Sequence, residues 1–191
     1  MLLIPAARSE LEAVVRLINQ AYRGREGWTS EADYLDGERI SAPALRAELK
    51  ARPAGRVLTL REAAKGPILG CVWIEPLGEG RWSLGLLAVR PDLQDRQLGR
   101  ELLERAERAA WACGARRIKI TVVNVREPLI GWYERRGYRQ TGDVEPFPYQ
   151  DQRFGAPRRE DLAFVVLEKP LAGSADGRTD DAGEMGESQP C

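Results

Sequence analysis

Three consecutive stretches, "RVLTLRE" (56–62), "ILGCVWIEPL" (68–77) and "RWSLGLLAV" (81–89), each read as a β-strand, and only the short turns "AAKGP" and "GEG" separate them. Connections that short cannot carry a crossover, so successive strands must pair antiparallel. The chain is therefore organised on an antiparallel meander. The third strand runs through Pro91 and a polar turn into a stripe of Leu98, Leu102, Leu103, Ala106, Ala109, Ala110 and Cys113 at helical spacing. That helix has an apolar face to bury, and the meander is the surface it meets.

The remaining segments add elements around this centre. "LLIP" is a short strand, and Ser9 stands where it can cap a helix carrying Leu11, Val14, Val15, Ile18 and Tyr22. Residues 23–40 show no sustained period and read as a loop with one helical turn. Ser41 caps a second helix, "APALRAELKA". "RRIKITVV" is a strand, and "PLIGWYERR" a helix with Pro in its first turn and Gly137 at its end. "YRQTGDVEPF" and "DLAFVVLEKP" are two further strands divided by the long polar loop "PYQDQRFGAPRRE". The order predicts an α/β fold with a mixed, mostly antiparallel central sheet flanked by helices. With 191 residues, 43% hydrophobic, the chain suits one core. Residues 1–171 are expected to form that single domain, and residues 172–191, nearly devoid of core-forming side chains, a disordered tail.

Several functions are disfavoured at once. Lys plus Arg and Asp plus Glu both number 29, and no long run of one sign offers a footprint for nucleic acid or a membrane surface. No stretch approaches the ~20 apolar residues of a membrane span, and "MLLIPAARSE" has too short an apolar run for a signal peptide, so a soluble, cytoplasmic protein is expected. The chain has no histidine, which removes the commonest general base, the usual triad partner and the commonest metal ligand. No metal is expected. Cys71, Cys113 and Cys191 lie far apart without a CxxC pair and read as free thiols, Cys71 and Cys113 as small core residues.

The junction "AVRPDLQDRQLGRELLERA" (88–106) is where chemistry first becomes visible. A strand that turns into a helix aims unpaired backbone N–H groups outward, and the helix dipole adds positive potential there. Gly99 would allow close approach of a phosphate, with Arg96 and Arg100 able to pair its oxygens. On its own this is equally an ordinary strand-helix junction with solvated arginines. The junction resembles the acyl-CoA-binding motif of the GNAT superfamily of N-acetyltransferases, V-x-P-x-x-Q-x-x-G-x-G, through Val89, Pro91, Gln94 and Gly99; the first glycine of the motif is Gln97 here. A second segment, "VVNVREPLIGWYERRGY", is similar to a later motif of that superfamily through Asn124, Tyr133, Glu134, Gly137 and Tyr138. The resemblance extends over residues 2–170.

What the resemblance implies can be assigned residue by residue. Acetyl-CoA would be the cosubstrate, its pyrophosphate held by the backbone of Gln94, Asp95, Arg96, Gln97, Leu98, Gly99 and Arg100. Leu87, Ala88 and Val89 would offer main-chain groups to the pantetheine arm, a bulge would splay this strand from its neighbour, and the N–H near Leu87 would face the acyl oxygen. Asn124 would bond the arm. Tyr133 would protonate the departing thiolate. If Gln97 has helical backbone angles its Cβ costs little, and CoA binding is expected to be retained.

The general base is left among Glu75, Glu31, Asp33 and a water relay, with Glu75 preferred. Ser83 lies near where some members of the superfamily carry a catalytic glutamate. The loop after the first helix combines Tyr22, Trp28 and Glu31, an aromatic and acidic set that suits a cationic amine. Phe147, Tyr149, Arg153 and Phe154 stand on the later polar loop, where they either line an opposite wall or anchor the loop. The implied activity is acetyl transfer to a small-molecule or peptide amine by direct attack in a ternary complex; the other reading is a CoA-binding or protein-interaction module without catalysis. Exposed strand edges leave room for a homodimer.

Overall fold

The computed structural model describes residues 1–25, 30–151 and 155–171, of Gln94 and Asp95 the backbone only; the expected tail, 172–191, lies outside the described residues. In chain order the elements are β1 (Leu2–Pro5), α1 (Leu11–Arg23), β2 (Leu35–Asp36), α2 (Ala42–Ala51), β3 (Arg56–Arg61), β4 (Gly70–Gly78), β5 (Arg81–Val89), α3 (Leu98–Ala112), β6 (Arg117–Val123), α4 (Glu127–Glu134), β7 (Arg139–Pro146), β8 (Ala156–Pro157) and β9 (Ala163–Pro170). Seven strands form one sheet in the order β1-β3-β4-β5-β6-β9-β7. Every neighbouring pair is antiparallel except β5 and β6, which are parallel.

β4 is the central strand of the meander, and its residues 70–74 are all buried. Such a continuous buried run arises because both faces of the sheet are covered. Val57, Cys71, Trp73 and Ala88 pack under α1 and α2, whereas Leu58, Leu60, Val72 and Ile74 pack with α3 and α4 on the other face. Alternation along the strands thus assigns each residue to one of two apolar layers. The turn between β4 and β5 has positive φ at both Glu79 and Gly80, the geometry of a two-residue hairpin that matches strand twist.

Three local expectations are corrected. Ser9 does not cap α1; it lies inside a 3-10 turn, Arg8–Glu10, and Glu10 accepts the Ala7 N–H at 2.9 Å instead. Ser41 does cap α2, its Oγ accepting from the Ala44 N–H at 3.3 Å. The loops after α1 and before β9 are not wholly irregular: β2 and β8 pair across them, Leu35 with Pro157 and Asp36 with Ala156. Two-residue strands carry no periodicity, so sequence patterning misses them. Cys71 is buried and free, but Cys113 is disulfide-bonded, so the expectation of a free thiol fails there. Among the described residues no helix is long and apolar enough to cross a membrane.

Candidate active site

The opening in the sheet begins where β5 leaves β6. Their ladder covers only Arg81–Ser83 against residues 117–119, and beyond Ser83 the two strands part. The cause is local. Between the pairs Trp73–Gly85 and Cys71–Ala88, β5 holds one residue more than β4, and Leu86 takes φ 48°. An extra residue of this kind bends its strand and leaves main-chain groups outside the ladder. At Gly85 an added Cβ would meet nothing within 4 Å, so the backbone there fronts open space.

Two cavities adjoin this splay. A narrow one of about 190 Å³ lies between β5, α3 and α4 and is lined by Val89, Gln97, Gly99, Arg100, Trp132 and Arg136. A wide one of about 580 Å³ lies on the other side and includes Glu31, Glu75, Ser83 and the diverging strand edges. Tyr22, Leu87, Arg126, Leu129 and Tyr133 line both. Those five residues form a seam at which ligands on either side can meet.

The narrow cavity combines a helix N-terminus with cationic and aromatic side chains. Gln97 caps α3 with φ 58° and ψ 12°, a left-handed conformation. The condition of helical angles, under which its Cβ would cost little, is not met: the chain needs one left-handed residue to turn from the 3-10 turn Pro91–Arg96 into α3, and Gln97 supplies it at a cost of roughly 1–2 kcal/mol. The N–H groups of Leu98, Gly99 and Arg100 begin the helix and have no partner within it. A Cβ at Gly99 would stand 3.6 Å from the Trp132 ring, inside the space that a ligand needs. Behind this turn the Arg136 guanidinium stacks 3.6 Å from the Trp132 ring centre and donates to the Trp132 carbonyl at 2.7 Å, while its buried Nε has no hydrogen-bond partner. Burial, and then the charges of Arg135 and Arg100, push the Arg136 pKa down. A bound anion would relieve that crowding.

The seam holds the groups suited to proton transfer. Tyr133 is 5% exposed, and burial raises its pKa well above the ordinary tyrosine value, so its phenol remains protonated. Its ring contacts Trp132 and Tyr138 edge-on at 4.9 and 5.5 Å, which fixes the hydroxyl in place. Tyr22 donates to the Leu87 carbonyl at 3.3 Å, and the Arg39 and Arg126 guanidinium carbons lie 5.5 and 5.6 Å from its ring centre. Cys71, close by on β4, is no nucleophile: burial pushes its thiol up to about 12.

The remaining expected residues fall in different places. Glu31 is 3% exposed and clamped by Arg23 and by Arg126, the latter at 2.5 Å. Glu75 pairs with Arg52 at 3.1 Å and stands opposite Ser83. Four residue steps along the strand separate Ser83 from Leu87, about 13 Å at the usual rise. Glu75, opposite Ser83, therefore stands well along the strand from Leu87. Ala88 and Leu98 are buried and can contribute main chain alone. Arg96 is exposed, and Arg100 is ion-paired with Glu104 at 2.8 Å.

Asn124 is not brought to either cavity. Its amide donates to the Asp161 carbonyl at 2.8 Å and accepts the Ala163 N–H at 3.1 Å, so it ties β6 to the start of β9. Phe147 and Phe164 line the wide cavity, with Tyr149 packed edge-on against Phe147. Trp28, Arg153 and Phe154 lie outside the described residues. Sequence reasoning missed Arg126 and Arg136. Both sit within the second motif-bearing segment, where a count of arginines beside its aromatic residues would have raised them.

The chain matches the family described as Acetyltransferase (GNAT) family over residues 11–138. No curated protein matches it by sequence. Among solved structures, it is similar to an acetyltransferase of the GNAT family from Staphylococcus aureus Mu50, with 15% identity and a TM-score of 0.63 over 90% of this chain and 99% of that one. It is also similar to a ribosomal-protein-alanine N-acetyltransferase from Brucella melitensis, with 16% identity and a TM-score of 0.64 over 90% and 100% of the two chains. A variant of spermidine N-acetyltransferase from Vibrio cholerae matches with 15% identity and a TM-score of 0.62 over 89% and 95%. At such identities the likeness shows the fold.

Proposed function

The chain belongs to the GNAT acetyltransferase family, and from that premise we propose that it moves an acyl group, acetyl first of all, from acyl-CoA to a primary amine by direct attack in a ternary complex. The seam shared by the two cavities carries this reading, because Leu87 and Tyr133 line both. The narrow cavity is the donor side and the wide one the acceptor side.

Acetyl-CoA supplies an activated acyl thioester. The backbone from Gln94 through Arg100, with Arg136 behind it, would bind its pyrophosphate. Leu87, Ala88 and Val89 would run alongside the pantetheine arm. The acceptor nitrogen attacks the thioester carbon, and the Leu87 N–H donates to the oxygen on which negative charge develops. As the carbon–nitrogen bond replaces the carbon–sulfur bond, Tyr133 gives its phenolic proton to the departing sulfur and later regains one from solvent. The proton lost from nitrogen leaves through water in the acceptor cavity towards Glu75.

Release of free CoA thiol with acetyl-CoA and a panel of primary amines tests the reading. Thiol release that needs both substrates, with intersecting initial-rate lines, supports it. If acetyl-CoA raises the melting temperature but no amine gives turnover, the chain is a CoA-binding module instead.

A further inference from the structure

Among the described residues, more cationic than acidic side chains line the acceptor cavity, five against three. Each acid is already held by a cation: Glu31 by Arg23 and Arg126, Glu75 by Arg52, and Glu145 by Lys119. Arg39 adds a further cation beside the Tyr22 ring. Its backbone is fixed, since the Asn19 side chain accepts the N–H groups of Arg39 and Ile40 at 2.8 and 3.2 Å and donates to the Ile40 carbonyl at 2.9 Å.

We infer that the acceptor is an amine that also bears a carboxylate, an amino-acid-type molecule whose carboxylate is held by Arg39 beside Arg126. This rests on the transferase reading above and names its substrate class. Arg39 and Arg126 both lie against the ring of Tyr22, whose hydroxyl is bonded to Leu87. A carboxylate held there puts a nearby amine at the seam. An ammonium ion entering alone would find every acid in the cavity already paired with a cation. Placing a carboxylate in a net positive, partly desolvated site is favourable, and the guanidinium fork matches its geometry. The same field lowers the pKa of the bound ammonium and favours the neutral nucleophile. That helps where Glu75 acts only at a distance. The sequence expectation of an aromatic and acidic loop for a cationic amine is altered accordingly: the acid in question, Glu31, is a buried partner of two arginines.

The experiment compares free amino acids, both α- and ω-amino, each against its own carboxamide, with spermidine as a polycation. Initial rates with acetyl-CoA are read beside calorimetric titration of the same compounds into CoA-loaded protein. The best free acid should exceed its carboxamide by more than tenfold in kcat/KM, through KM, and Arg39→Gln should narrow that ratio to below about threefold, with Arg39→Lys retaining more of it. Carboxamides or spermidine performing as well as the acids overturns the inference and leaves the transferase reading intact. Should no amine turn over, the transferase reading falls, and the titrations still decide: acid-selective binding sustains the anion site, and equal binding overturns it.

Discussion

The two cavities that meet at Leu87 and Tyr133 are assembled in opposite ways. Apart from Tyr22, the narrow cavity, the donor side of the proposed reaction, draws on two continuous segments, 87–100 and 126–136, and is shaped by backbone: a bulge at Leu86, a left-handed Gln97 and the free N–H groups of α3. The wide cavity, the acceptor side of the proposed reaction, gathers side chains from α1, the loops on either side of α2, five strands of the sheet and α4, held by ion pairs that cross long stretches of sequence. Arg126 and Glu31 are 95 positions apart. A backbone device can be reused with any acyl-CoA, whereas a cluster of side chains is specific to one acceptor.

Substitutions that strike only one side sharpen this contrast. The largest effect is expected at the seam, which serves both. Tyr133→Phe should lower kcat by roughly a hundredfold or more while acetyl-CoA affinity stays within about twofold, read by initial rates and calorimetry. The pH profile gives a second readout. A general acid must be protonated to act, and the Tyr133 pKa is raised by burial, so the wild-type rate should not fall from its ionisation until above the ordinary tyrosine value of about 10.

Next comes the acceptor wall. Glu31→Gln keeps the shape but leaves Arg23 and Arg126 buried against a neutral amide, and removing one partner of a buried pair costs about 3 kcal/mol or more. Urea denaturation should show that loss, together with a raised acceptor KM. A loss below about 1 kcal/mol would break the picture of a wall held by buried charge. On the donor side, Arg136→Gln should weaken acetyl-CoA binding by about tenfold, with the weakening reduced at high salt and the acceptor KM little changed.

The smallest effect concerns the donor turn itself. Gln97→Gly should stabilise the protein by about 1 kcal/mol, since glycine adopts left-handed angles without the Cβ cost. Tightening of acetyl-CoA binding by more than about tenfold would instead show that the glutamine damages the cradle. Loss of stability would mean that Gln97 is not left-handed in solution.

How far the sequence reaches follows the same division. The strand at residues 81–89 and the stripe of α3 are legible because periodicity reports which residues face a layer. Leu87, Gly99 and Tyr133 reach the site through short motifs whose spacing is set by local backbone. The left-handed angle at Gln97 was not legible, because the strain of one residue is imposed by its neighbours on either side. Nor was the role of Glu31: residue type suggests a free acid for a cationic substrate, and only the fold brings Arg23 and Arg126 to it. Asn124 shows the reverse, a motif position whose amide is spent on joining β6 to β9.

The central claim is that Leu87 and Tyr133 form one reaction seam between a donor and an acceptor cavity. A crystal structure with bound CoA tests it most directly. The account predicts that the pantetheine arm enters the opening beyond Ser83 and places its sulfur within hydrogen-bond reach of the Tyr133 hydroxyl, about 3–3.5 Å. A sulfur more than about 6 Å from that hydroxyl, or an arm that runs outside the splay of β5 and β6, would contradict it.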